Sequence, residues 1–201
     1  MEKYQEISVD PAILSVFLQT GVAIEPVLVK DIGEVTHLIL DDEHKIVHCT
    51  TQQFIRKLCQ FLFHDFKALQ NGVKEKLHKT QLLPIPLTYQ FVLFPLRSLP
   101  IKNIKTRGFL WISYRKVTKA IASSTQNLQT EIYMKNGYRL VVPYTRSFVL
   151  QQLRDAQLVD YLFQEVHFTA QRLAVPALEA TKASLPEQIL YLAEAIRHYK
   201  P

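Results

Sequence analysis

The segment EIYMKNGYRLVV, residues 131–142, carries the clearest structural signal in this chain of 201 residues. Its Asn136-Gly137 dipeptide tolerates positive φ at both central positions of a type I′ turn, and β-favouring residues flank the turn on both sides. A two-residue loop fixes which residues of the two strands face each other. The predicted pairs are Lys135–Tyr138, Tyr133–Leu140 and Ile132–Val141. The segment therefore predicts a β-hairpin with one face largely in the core, and antiparallel pairing in the fold.

The residues before this hairpin alternate between helix and strand signals. Asp10-Pro11 opens a short helix that is expected to end at Gly21. Thr50 and Gln53 form a capping box for a longer apolar-striped helix, which Asn71-Gly72 is expected to end. Extended segments are predicted at 22–29, 36–40, 45–49, 89–94 and 109–122.

The residues after the hairpin have helical periodicity. Ser147 is expected to cap a helix that runs to about residue 166, and Ser184 with Glu187 a second, C-terminal helix. The predicted fold class is α+β: antiparallel strands and hairpins with a central amphipathic helix and two C-terminal helices. We expect one domain over residues 1–201, in which 167–201 form a helical extension.

Charge is concentrated in the middle of the chain. Residues 76–154 hold thirteen Lys and Arg and a single acid, Glu131, whereas both flanking segments carry more acids than bases. Such a stretch produces a field that attracts a polyanion, and nucleic acid is the commonest one. The start of the chain lacks the pattern of a signal peptide, and no run of eighteen apolar residues occurs, so we expect a cytoplasmic protein without a membrane partner.

Sequence signals for catalysis or cofactor binding are weak. The glycine-rich phosphate loops, the nucleophile elbow and the zinc-protease motif are absent, so we expect neither a cofactor nor catalytic residues. His44 and His48 have a possible ligand spacing, but the segment fits a strand better than a metal site. The acids Asp41, Asp42 and Glu43 fit a polar turn, although magnesium ligands of a nuclease remain an alternative.

The basic residues fall into two groups. The first, in a proline-bounded loop, is Arg97, Lys102, Lys105 and Arg107; the second, on the extended segment after Trp111, is Arg115, Lys116 and Lys119. Neither group lies on a basic amphipathic helix, which disfavours a helix-turn-helix reader. We expect strand or loop residues that contact phosphates and a narrow groove. A basic module that binds another protein is a further alternative.

Several motifs, in a fixed order, resemble a known family. They are Cys59-x-Phe61, Phe91-Val92-Leu93-Phe94-Pro95, Trp111-Ile112-Ser113, Asn136-Gly137, Pro143 and Ser147-Phe148-x-x-Gln151-x-x-Arg154. Over about residues 33–166 the chain resembles the competence transcription factor (ComK) family. The resemblance implies a cytoplasmic activator that binds A/T-rich double-stranded DNA largely through the minor groove, acts with RNA polymerase and controls genes for DNA uptake.

The chain departs from the family pattern in two places. Small residues and an arginine usually follow the helix cysteine, where this chain has FHDFKAL at residues 63–69. Some members end in a Phe-x-Leu-Tyr-Pro segment that an adaptor of the Clp protease recognises, whereas this chain has only Ile189-Leu190-Tyr191-Leu192. The Clp adaptor is therefore not carried over as a partner.

The resemblance also implies assembly as dimers or higher multimers. The helix from Ser147 has apolar residues around more of its circumference than one core-facing stripe requires, and a homodimer or homotetramer is the usual way to bury the surplus. The alternative is that a single subunit buries this helix completely.

Overall fold

The computed structural model describes residues 6–7, 9–99, 108–123 and 128–179, and side chains between residues 9 and 166 of these ranges. The chain divides into two compact units, Met1–Tyr161 and Leu162–Pro201. The first unit contains all the described strands. The predicted α+β class is confirmed.

The described elements are four helices, ten strands and one short 3₁₀ turn. The helices are α1 (Pro11–Thr20), α2 (Thr51–Phe61), α3 (Phe66–Leu77) and α4 (Arg146–Glu179). The first seven strands are β1 (Glu6–Ile7), β2 (Gly21–Val29), β3 (Gly33–Leu40), β4 (His44–Val47), β5 (Ile85–Thr88), β6 (Phe91–Leu96) and β7 (Leu110–Ser113). The 3₁₀ turn Tyr114–Lys116 then leads to β8 (Val117–Ala122), β9 (Thr130–Met134) and β10 (Arg139–Val142).

The strands form two sheets. Seven strands pair in the order β1-β4-β3-β2-β7-β6-β5, and three in the order β10-β9-β8. All pairs are antiparallel except β1 with β4. The predicted extended segment 109–122 is thus divided between the two sheets, because the 3₁₀ turn redirects the chain after Ser113.

The large sheet has an apolar core on each face. Successive strand residues point to opposite faces, so Ile24 packs with α1 and α2 whereas Ala23 packs with the three-stranded sheet and α4. The helix-side core includes Phe17 and Phe54, which meet edge to face at 5.5 Å. The order of layers is therefore α1 and α2, the seven-stranded sheet, then the three-stranded sheet with the first part of α4.

The predicted helix starts are confirmed in the first half of the chain. The side chain of Asp10 accepts a hydrogen bond from the Ile13 amide at 2.9 Å, with Pro11 in the first turn of α1. Thr50 and Gln53 form the predicted capping box at the start of α2. Each cap satisfies amides that the first helical turn leaves without a partner.

The prediction of one long helix after Thr50 is wrong. The helix ends at Phe61, Phe63 adopts left-handed backbone angles (φ 58°), and Asp65 caps a new helix, α3, through the Ala68 amide. Gly72 does not end α3: the helix continues to Leu77 and is followed by His78, which has left-handed backbone angles (φ 52°). The apolar periodicity spans this break, so it did not indicate that the chain turns there.

The hairpin at 131–142 forms, but with a different turn. Only Gly137 has positive φ (84°), and Gly137 donates to the Met134 carbonyl while Met134 donates to the Tyr138 carbonyl. The loop therefore has three residues, as in a type I turn followed by a left-handed glycine. The extra residue shifts the pairing by one: Tyr133 pairs with Arg139, and Ile132 with Leu140.

The helix α4 starts earlier and ends later than predicted. Thr145 rather than Ser147 precedes it, with its side-chain oxygen accepting from the Phe148 amide at 3.4 Å. It continues past residue 166 to Glu179, so the predicted boundary at 167 does not interrupt the helix. The predicted helix after Ser184 lies outside the described residues.

Candidate nucleic-acid interface

Three side chains form a row across the outer face of the three-stranded sheet. Lys119 of β8 pairs with Tyr133 of β9, which pairs with Arg139 of β10. Their neighbours Ala120, Ile132 and Leu140 are buried in the core. Because side chains alternate along a strand, the row of Lys119, Tyr133 and Arg139, called the outer row below, faces away from that core.

One cation of the outer row lies over the aromatic ring, and the other is paired with an acid that also binds the hydroxyl of that ring. The ammonium of Lys119 lies 4.6 Å from the centre of the Tyr133 ring, a cation–π distance. The Tyr133 hydroxyl donates to Glu131 Oε2 at 2.8 Å, and Arg139 Nη1 lies 3.3 Å from the same oxygen. Arg139 is more than half exposed. The outer row therefore presents two cations and one aromatic ring on a rigid surface.

Arg115 is held by a buried acid from α4. Its Nη2 and Nε donate to Asp160 Oδ2 at 2.5 and 3.1 Å, and the Tyr114 hydroxyl donates to the same oxygen. The hydrogen bond that Arg115 donates to Asp160 raises the pKa of the Arg115 guanidinium. Burial, and after it the hydrogen bond to Asp160, raises the pKa of the Tyr114 hydroxyl. Asp160 is only 3% exposed, so this pair fixes Arg115 and compensates its charge.

Lys116 is held by an acid from the other sheet. Its ammonium donates to both carboxylate oxygens of Asp41 at 2.8 and 2.6 Å. The side-chain amide of Asn136 donates to the Leu40 carbonyl at 2.9 Å, so the 3₁₀ turn and the hairpin turn are each joined to the β3–β4 region. Arg115 and Lys116 therefore lie on the predicted segment, but each has an acidic partner, and both are in the 3₁₀ turn rather than on a strand.

The proline-bounded loop is described only at its ends. Arg97 is exposed and lies 5.4 Å from the centre of the Phe109 ring. Lys102, Lys105 and Arg107 lie outside the described residues. Arg97 and Lys119 thus both stand over aromatic rings, on different parts of the first unit.

Two of the three acids of the nuclease alternative have basic partners. Asp41 binds Lys116, and Glu43 Oε1 lies 2.7 Å from the Lys45 ammonium. His44 Nδ1 is 3.0 Å from His37 Nε2, a contact between β4 and β3. Within the described ranges, no three His, Cys, Asp or Glu side chains form a group that could hold a metal ion. His64-Asp65, predicted on a helix, lies in the link between α2 and α3.

A family model described as ComK protein matches residues 16–167. The chain belongs to the ComK family. ComK proteins are competence transcription factors, and transcription regulation is therefore the general role of this chain. No curated protein and no solved structure matches the chain. None of the described helices is long and apolar enough to cross a membrane.

The ComK match includes two groups of exposed or half-buried side chains that the sequence prediction did not select. Tyr133 and Arg139 of the outer row became neighbours only through the corrected hairpin register. A predicted loop of three residues ending at Gly137, in place of two, would have given this pairing. The second group, on α3, is Lys67, Lys74 and Lys76. The sequence feature that could have identified this group is an excess of lysines over acids between residues 66 and 77.

Proposed function

We propose that this protein is a sequence-specific transcriptional activator that binds A/T-rich double-stranded DNA, largely through the minor groove, upstream of DNA-uptake genes. Membership of the ComK family supports the process and the cytoplasmic location. The outer row supports the mode of binding, because cations on the two outer strands of the three-stranded sheet can reach phosphates and a narrow, electronegative groove. No catalytic step and no cofactor enter the proposal. RNA polymerase is the proposed protein partner at the promoter.

Groove choice is the first test of this proposal. Netropsin, a minor-groove ligand, should displace the protein from an A/T-rich duplex, whereas methylation of guanine N7 in the major groove should have little effect on binding. Replacing adenine·thymine by inosine·cytosine preserves the minor-groove face and should preserve affinity. Competition measured by fluorescence anisotropy decides the point: sensitivity to N7 methylation without displacement by netropsin would contradict minor-groove binding.

The outer row predicts which variants bind DNA more weakly. Changing Lys119 and Arg139 together to Ala should weaken binding to all DNA sequences and reduce the slope of log affinity against log salt by about 0.9 for each phosphate that the variant no longer neutralises. Both side chains are exposed, and truncating them leaves the buried face of the sheet intact. Affinity is measured at several salt concentrations.

Lys74 and Lys76 provide a matched control for that experiment. They carry the same total charge as the outer-row pair, are exposed, and lie on α3. The variant Lys74→Ala with Lys76→Ala should retain the wild-type salt slope. A reduced slope in the α3 variant alone would place the interface on the helices and would reject the outer row.

Fewer apolar side chains of α4 are exposed than the sequence analysis predicted, so the proposed subunit contact on this helix is smaller. Val149, Ala156 and Val159 are buried in the core of the first unit, and Phe148 and Leu153 pack against that core. Leu158 and Tyr161 are exposed by 45% and 59%. We propose a homodimer or homotetramer on repeated DNA boxes, since joining two subunits makes the second contact effectively intramolecular.

A further inference from the structure

Phe63 is the most exposed large apolar side chain among the described residues. It is 98% exposed and lies in the short link between α2 and α3, where its backbone has the left-handed φ of 58°. Its neighbour Phe61 is 38% exposed. A phenyl ring presented in this way contributes nothing to the core of its own subunit. Exposed aromatic rings of this kind are typical anchors of protein interfaces.

A cleft of about 130 Å³ lies close to this link. Its lining includes three aromatic residues, Phe66, Phe109 and Trp111, together with Gln52 and Gln70. A cavity of roughly 150 Å³ accommodates one benzene ring, so the cleft has the size of a single phenyl group. Phe66 is only three residues from Phe63, which places ring and cleft near each other on one subunit.

The charges around the cleft also favour an aromatic occupant. The guanidinium of Arg56 lies 5.8 Å from the centre of the Phe66 ring, and that of Arg97 lies 5.4 Å from the centre of the Phe109 ring. A further ring that enters between these walls meets aromatic edges and cations, both of which attract its electron-rich face. The lining includes no acid among the described residues, and the nearby carboxylate of Glu34 accepts a hydrogen bond from the amide of the lining residue Gly108 at 3.1 Å.

Ring and cleft lie on the side of the large sheet that carries α1 and α2. Phe66, Phe109 and Trp111 pack with the helix-side core, whereas the outer row covers the three-stranded sheet beyond the opposite face. A contact through this side therefore leaves the proposed DNA surface accessible. It also holds without DNA, so it does not rest on the proposed function.

We propose that two copies of this chain associate by reciprocal insertion, with Phe63 of each subunit entering the aromatic cleft of the other. A projecting ring beside a cleft of matching size is self-complementary about a two-fold axis, which closes the assembly at a dimer. This occupant is preferred to a different protein because the chain itself supplies both halves of the contact. The surface is distinct from the exposed residues of α4.

Sedimentation equilibrium without DNA, across the micromolar range, tests the contact. Wild-type protein should form dimers, and Phe63→Asn should raise the dimer dissociation constant by at least about thirtyfold, the usual effect of removing a central aromatic anchor. Asn tolerates left-handed backbone angles better than Phe, so this variant should fold at least as well as the wild type. Gln52→Phe, which fills the cleft from its exposed rim, should have the same effect.

Leu128→Asn is the matched control. Leu128 is also apolar, exposed (71%) and left-handed (φ 73°), and its substitution should leave the dissociation constant unchanged. Trp111 is a fluorescent probe of the cleft, because it is the single tryptophan of the chain and lines the cleft. Its emission and its quenching by acrylamide should depend on protein concentration in the wild type and not in Phe63→Asn. Wild-type protein that stays monomeric, or Phe63→Asn that associates like wild type, would overturn the proposal.

Discussion

At the scale of single residues, the acids decide which cations of the basic stretch are available. Asp41 and Asp160 are distant in sequence from Arg115 and Lys116, yet each forms a close ion pair with one of them. A third acid from outside the stretch, Asp155, binds Lys79. A charge count along the chain therefore overstates the positive surface. Lys119 of the outer row and Arg97 face aromatic rings, whereas Arg139 is paired with Glu131, an acid that is only partly buried.

Asp41 gives a prediction at this scale. The substitution Asp41→Asn removes the partner of Lys116, so affinity for DNA should rise and the salt slope should steepen by about 0.9 if the freed ammonium then contacts a phosphate. Stability should fall by less than about 1 kcal/mol, since both side chains are partly exposed. Binding titrations and urea unfolding measure the two effects.

The neighbouring Asp42 separates the specific effect from a general change of charge. Asp42→Asn changes the net charge by the same amount, one residue away, on an exposed side chain. It should leave the salt slope at the wild-type value. Equal slopes for the two variants would mean that Lys116 does not contact DNA.

At the scale of the elements, two glycines that follow an asparagine have opposite roles. Gly137 needs its positive φ to close the three-residue loop, whereas Gly72 lies inside α3 with ordinary helical backbone. A Cβ atom would meet nothing within 4 Å at either position. The effect of an added Cβ atom on stability therefore depends only on the backbone conformation, which is left-handed at Gly137 and helical at Gly72.

Substitution of each glycine by alanine should change stability in opposite directions. Gly137→Ala should lower the free energy of unfolding by roughly 1–2 kcal/mol, the cost of left-handed angles for an L-residue. Gly72→Ala should raise it by about 0.5–1 kcal/mol, because alanine is the better helix former. Urea unfolding followed by circular dichroism measures both. Stabilisation by Gly137→Ala would contradict the three-residue loop and its outer-row register.

At the scale of the whole molecule, the layers of the first unit separate two surfaces. The outer row covers the three-stranded sheet, and the Phe63 link lies on the side of α1 and α2, beyond the seven-stranded sheet. The proposed DNA surface and the proposed subunit contact are therefore on different sides of the first unit, so that the two contacts would not compete.

Features that depend only on neighbouring residues could be predicted from the sequence. The α+β class, the caps at Asp10 and Thr50, the hairpin around Gly137 and the family motifs all follow from short-range patterns, because capping, turn formation and alternation act over a few residues. The concentration of positive charge in residues 76–154 is equally a property of the chain alone.

Contacts between residues that are distant in sequence could be read only from the tertiary structure. The break at Phe63 and the three-residue loop at Gly137 differ from the local prediction by a few residues, yet they set the exposed ring and the pairing of Tyr133 with Arg139. The ion pairs of Asp41 and Asp160 join residues 75 and 45 positions apart. Such contacts depend on the packing of whole layers, and a short-range pattern carries no information about which layers meet.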